Sequence, residues 1–193
     1  GPTIEEALTQ LEQLSGEKKP FLLAVGFVRP HLPLGAPARY VKLYDDISLP
    51  AIPHAAKPSG KTTWHGSGEF MKYNRWNRDP RSDQDFADTV REQDAGCVSY
   101  ADALVGRLIA GLEKHGKAGQ TIILLWGDHG WHLGEHAIWG KHSLFEESLR
   151  SPLIVVDPRM KTGRGKTSPA IVETVDIFPT LCDLAGLHPP KGL

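Results

Sequence analysis

The sequence predicts an α/β fold, a mainly parallel sheet with helices on both faces. Three short apolar runs bounded by breakers, and amphipathic helical patterns lying between and around them, carry that expectation. Strands that alternate with helices require crossover connections, which favour parallel pairing.

The first element is a helix: Ile4, Ala7, Leu8, Leu11 and Leu14 recur at helical spacing after Thr3, which can cap with Glu6 three residues on, and Gly16 supplies a stop. Pro20 to Val28 is then a continuous apolar run of strand length, the pattern of a strand buried on both faces. Pro30 and Pro33 end it and place His31 in a loop at its carboxyl end. Residues 45–84 are rich in Pro, Gly, Ser and Asn, hold Trp64, Tyr73 and Trp76, and show no sustained period, so they read as a long surface excursion.

From Asp85 to His115 the positions Val98, Ala101, Leu104, Val105, Leu108, Ile109 and Leu112 repeat at three and four, the longest helix, with Gly116 as its stop. Gln120 to Trp126 and Pro152 to Val156 read as two further strands. A Gly- and Lys-rich stretch near 161–168 reads as a solvated loop. Val172 to Gly186 closes the chain as a helix, with Pro179 close to its first turn. One domain, or a portion of one, accounts for 193 residues.

Composition narrows function. Lys and Arg number 22 against 23 acidic residues, so no cationic field exists for nucleic acid. No unbroken apolar run nears the roughly 20 residues that span a bilayer. Cys97 and Cys182 sit within apolar helical patterns and read as small core hydrophobes. The chain opens Gly-Pro-Thr without a basic-then-apolar leader, so its compartment is not legible. Nine histidines are many for this length, and His129, His132, His136 and His142 fall close together.

That cluster lies in Trp126-Gly-Asp-His-Gly-Trp-His-Leu-Gly-Glu-His136, followed by Trp139-Gly-Lys141. Asp128 and His129 leave a strand together and can offer a carboxylate and an imidazole to one cation. Gly127 and Gly130 let backbone approach closely. An isolated Asp-His-Gly reads equally well as a helix cap beside a packed histidine.

The string Asp-His-Gly-x-x-Leu-Gly-Glu-His resembles the metal-binding signature of sulfatases in the alkaline-phosphatase-like superfamily, iduronate-2-sulfatase-like members above all. The Pro20 to Val28 run with Pro30-His31-x-Pro33, the Trp-Gly-Lys141 string, and Val172 to Leu181 with Leu184 to Leu187 are similar to further segments of that family, in the same order. The resemblance implies that Asp128 and His129 bind a divalent cation, usually Ca2+, and that His31 and Lys141 hold the sulfate of a small sulfate ester or sulfated sugar. His31 could also protonate the leaving alcohol. Trp131 and His132 then line the substrate pocket or simply pack, and Glu135 and His136 anchor the loop by hydrogen bonds.

Sulfatases of this type carry a nucleophilic formylglycine made within a C-x-P-S-R stretch, and no such string occurs here: Cys97 precedes Val-Ser-Tyr and Cys182 precedes Asp-Leu-Ala. The resemblance therefore implies an incomplete domain whose N-terminal part carries the formylglycine and the remaining metal carboxylates. Alone, this chain is expected to be inactive. Family habit implies a periplasmic, secreted or lysosomal protein. Three alternatives stand: a phosphate or phosphonate ester hydrolase of the same superfamily, a non-catalytic binding module, and a zinc peptidase using His132-Leu-Gly-Glu-His136. Gly134 weakens the last, costing about 1 kcal/mol within the helix it requires.

Overall fold

The computed structural model describes residues 1–192. Helix α1 (Pro2–Gly16) begins on Pro2 rather than on a Thr3 cap, proline's fixed φ suiting the first helical position. It buries Ile4, Ala7 and Leu11 against α3 (Gln84–Lys114), and Arg107 donates to both oxygens of Glu5 across the seam. The one-turn α2 (Ala38–Val41) also packs on α3. Asp83 caps α3 by accepting from the Phe86 amide.

The buried face of α3 carries Phe86, Ala87, Val90, Cys97, Leu104 and Leu112, and not all of the expected stripe. Val98 is 50% exposed and Ile109 38%. By length and composition α3 is apolar enough to cross a membrane, a property that the count of unbroken apolar residues did not register because Ser99, Tyr100, Asp102 and Arg107 interrupt it.

Strand β1 (Ile123–Trp126) forms where expected, as does β4 (Leu153–Val156). Between them lie β2 (His132–Leu133), β3 (Trp139–Gly140) and the one-turn α4 (Glu146–Leu149). Both pairings are antiparallel: Ile123 faces Val156 and Trp126 faces Leu153, while His132 faces Gly140. This corrects the expectation of mainly parallel pairing for the strands described. The cause is local: residues 127–152 fold into a hairpin and a single helical turn that return the chain to the end of β1. The Gly127 amide bonds the Pro152 carbonyl there at 2.9 Å, so β4 must run back along β1.

Residues 20–28 do not form a ladder among the described residues. Their exposure alternates residue by residue, with Leu22 83% and Val28 72% exposed, as extended backbone with one free face behaves. A strand is defined by neighbouring donors and acceptors, and apolar composition supplies none. Helix α5 (Ile177–Ala185) follows a 3-10 turn at Thr174–Asp176 and ends on Gly186 in the left-handed region, φ 70°. Cys97 and Cys182 are free and buried.

The main core joins Leu32, Phe70, Phe86, Ala87, Val90 and Trp139, with Ile52, Met71, Tyr73 and Trp131 packed against it. Segment 45–84 is irregular apart from the 3-10 turn Phe70–Lys72, yet it supplies Phe70, Met71 and Tyr73 to that core.

Candidate active site

Residues 127–149 form one cross-linked loop. The Gly130 amide donates to the Ser148 carbonyl at 2.7 Å, and a Cβ on residue 130 would collide with the Glu147 carbonyl. Gly134 has φ 114°, and a Cβ there would lie 2.7 Å from Ile52 Cδ1. Close backbone approach at Gly130, expected from sequence, thus has a definite partner in the start of α4.

Asp128 and His129 lie at the mouth of this loop. The Asp128 side chain is 84% exposed, with Oδ2 3.6 Å from His129 Nε2. The other ring nitrogen, Nδ1, lies 2.8 Å from the Gly130 carbonyl oxygen. A carbonyl only accepts, so Nδ1 carries a proton, and in the neutral tautomer Nε2 is the nitrogen that can ligate a cation beside the carboxylate. These are the donors that one cation needs, but only two of them. A hard cation such as calcium takes about six to eight ligands, and no group of three or more His, Cys, Asp or Glu suited to a metal occurs among the described residues. The pair fits part of a coordination sphere.

His132 is fully buried. Its Nε2 lies 2.8 Å from Ser143 Oγ, which lies 2.9 Å from Ser148 Oγ, and its Nδ1 is 3.3 Å from the Glu135 carbonyl oxygen. Burial, above all, pushes its pKa down. The ring therefore sits inside the loop, where it ties β2 to α4. Glu135 accepts from the Leu133 amide at 2.7 Å. His136 stacks on Phe145 at 4.0 Å and places Nε2 3.4 Å from Glu147. Residues 132–137 are a strand end and a 3-10 turn with His136 at φ 56°, not the helix on which a peptidase would present two histidines to zinc.

Lys141 leaves β3 and is mostly buried. Its Nζ lies 3.5 Å from Glu69 Oε1, with the two side chains 17% and 19% exposed, and 6.0 Å from the centre of the Trp131 ring. The neighbouring His142 Nδ1 is 3.7 Å from the other Glu69 oxygen, and its amide donates to Ser67 Oγ at 3.4 Å. Beside them a cavity of about 550 Å³ is lined by residues 65–69, Lys72, Tyr73 and His142. Glu69, Ser67 and His65 went unread in the sequence. A Gly-Ser-Gly-Glu string without periodicity carries no signal until the fold brings it to Lys141.

His31 follows a cis Arg29–Pro30 bond and precedes a cis Leu32–Pro33 bond. Arg29 braces the turn by donating to the carbonyls of His31 and Gly35. The His31 ring repeats the arrangement of His129: Nδ1 faces the carbonyl oxygen of the next residue at 2.7 Å, which leaves Nε2 free. Among the described residues no hydrogen bond joins this ring to Lys141 or Asp128. The connection runs through packing, since Leu32, Phe70, Trp139 and Trp131 share one apolar cluster.

Solved structures with this arrangement place the chain among α/β folds of the alkaline-phosphatase-like kind. A phosphonate monoester hydrolase from Silicibacter pomeroyi superposes with TM-score 0.81 at 26% identity, covering 97% of this chain and 38% of that one. A protein solved with its substrate D-glucosamine-2-N,6-O-disulfate has the same fold, with TM-score 0.73 at 23% identity over 98% of this chain and 50% of its own. The sulfatase family model matches residues 2–187, and the chain belongs to the sulfatase family. Human iduronate 2-sulfatase is 33% identical over 96% of this chain, which spans 40% of that relative's length.

Proposed function

We propose that this chain is the C-terminal part of the catalytic domain of a sulfuric ester hydrolase, and that it binds the sulfate group and part of the metal. The observation that carries this reading is the largely buried ammonium of Lys141, paired with Glu69, which lines a cavity, within a sulfatase-family chain. Lys141 grips the sulfate oxygens, and so does His31 when its Nε2, which has no partner among the described residues, carries a proton. His31, protonated at that nitrogen, donates to the oxygen of the departing alcohol. Asp128 and His129 hold a divalent cation, Ca2+ in this reading, whose positive charge stabilises negative charge growing on the ester oxygens.

The remaining carboxylates and the formylglycine nucleophile come from an N-terminal part of the same domain. Exposed apolar side chains such as Leu22, Val28, Ile154 and Val156 support such a partner, since patches of this kind mark interfaces. The cavity takes the alcohol, a sulfated sugar by its size and polar lining. Trp131 borders the Lys141 ammonium, whereas the burial of His132 favours a bracing role over pocket contact.

The test uses the full-length protein with 4-nitrophenyl sulfate. Lys141→Ala and His31→Ala are each expected to lower kcat/KM at least about 100-fold, and calcium chelation to abolish turnover. The isolated chain should bind calcium weakly and turn over nothing. Full activity in both variants would refute the assignment. The likeness to a phosphonate monoester hydrolase favours one second reading, in which a phosphonate ester is the better substrate; measuring both esters side by side decides between them.

A further inference from the structure

Glu69 is the residue that connects Lys141 to the cavity. Its Oε1 pairs with the ammonium at 3.5 Å. Its Oε2 is buried without a hydrogen-bond partner, 3.7 Å from His142 Nδ1. A lysine ammonium has three donors on a flexible four-carbon stem, and by itself it has no preferred aim. Here one side is taken by Glu69 and another faces the Trp131 ring. No hydrogen bond among the described residues takes the remaining donor directions. Both side chains are more than four-fifths buried, so neither charge can turn fully to water once the other is removed.

Resting on the sulfatase reading above, we propose that Glu69 is a positioning residue for Lys141: it aims the ammonium at the ester and weakens the grip on the free product anion. The second effect follows from charge. A carboxylate beside the ammonium competes with sulfate for it and repels the anion, while orientation counts most in the transition state.

The full-length protein tests this with 4-nitrophenyl sulfate as substrate and inorganic sulfate as inhibitor. Glu69→Gln keeps the shape and removes the charge. Expected are a fall in kcat of about 10- to 100-fold from the misplaced ammonium and an inhibition constant for sulfate lowered about 3- to 10-fold from the lost repulsion. Glu69→Asp retains the charge and should recover part of kcat with sulfate inhibition unchanged, and it serves alone if the Gln variant does not fold. In a Lys141→Ala background the Gln substitution should cost nothing further, because residues acting as a unit are not additive. The inference is overturned if Glu69→Gln keeps wild-type kcat, weakens sulfate binding, or loses as much activity without Lys141 as with it. A wild-type protein that turns over no sulfate ester, with sulfate binding indifferent to Lys141→Ala, instead overturns the sulfatase reading and takes this inference with it.

Discussion

Residues 127–149 and the β1–β4 pair, adjacent in sequence, have opposite relations to water. The loop is rich in polar residues, yet His132 is fully buried and Ser148 is 4% exposed. The strand pair is apolar, yet Ile154 is 54% and Val156 46% exposed, and further on Ile171 is 98% and Phe178 50% exposed. Burial here follows the partners within reach. The loop closes on itself and on the segment around Ile52 to Tyr73, whereas β4 stays exposed throughout and β1 is only partly covered among the described residues.

Substitutions on the two sides should separate accordingly. Gly130→Ala forces a Cβ into the Glu147 carbonyl and is expected to cost 4 kcal/mol or more, on the order of the largest single-residue effects. Urea unfolding should register the loss, and hydrogen exchange should place it in 127–149; a variant of wild-type stability would dissolve the contrast.

Asp94 gives a smaller effect with a defined sign. Burial, aided by the charge of Glu135, raises its pKa from 3.8 to about 6. The fold thus prefers the protonated form, so its contribution is present below pH 4 and is lost as pH rises through about 6. Asp94→Asn should therefore gain on the order of 2 kcal/mol at pH 7.5 and nothing at pH 3.5. Thermal melts at both values check this, and equal gains at both would show that charge is not the cause. The smallest effect belongs to the sheet. Ile154→Thr in the isolated chain should shift stability by less than about 0.5 kcal/mol, as exposed positions do, and by clearly more in the full-length protein if that face is covered there.

What the sequence made legible was local. The bounds of α3, strands β1 and β4, the stop at Gly186 and the close approach at Gly130 depend on propensity, period or a missing Cβ, all readable from neighbours along the chain. Strand direction was not legible. It depends on a hairpin whose first strand, His132–Leu133, lies inside a motif that also matches a helical metal site. The ladder expected for 20–28 needed neighbours that apolar composition cannot promise. Glu69 was invisible for the same reason: its partner lies in a distant segment, and only folding gives that string a meaning.

Separation along the chain also orders how the site comes together. His132 and Ser143 meet across 11 residues and Ser143 and Ser148 across 5, but Ser67 reaches His142 across 75. Closing the longer span carries an added entropic penalty of about 1.7 kcal/mol over the 11-residue one. The bracing within residues 127–149 is therefore the cheaper to close, while the seam beside Lys141 carries the larger closure cost.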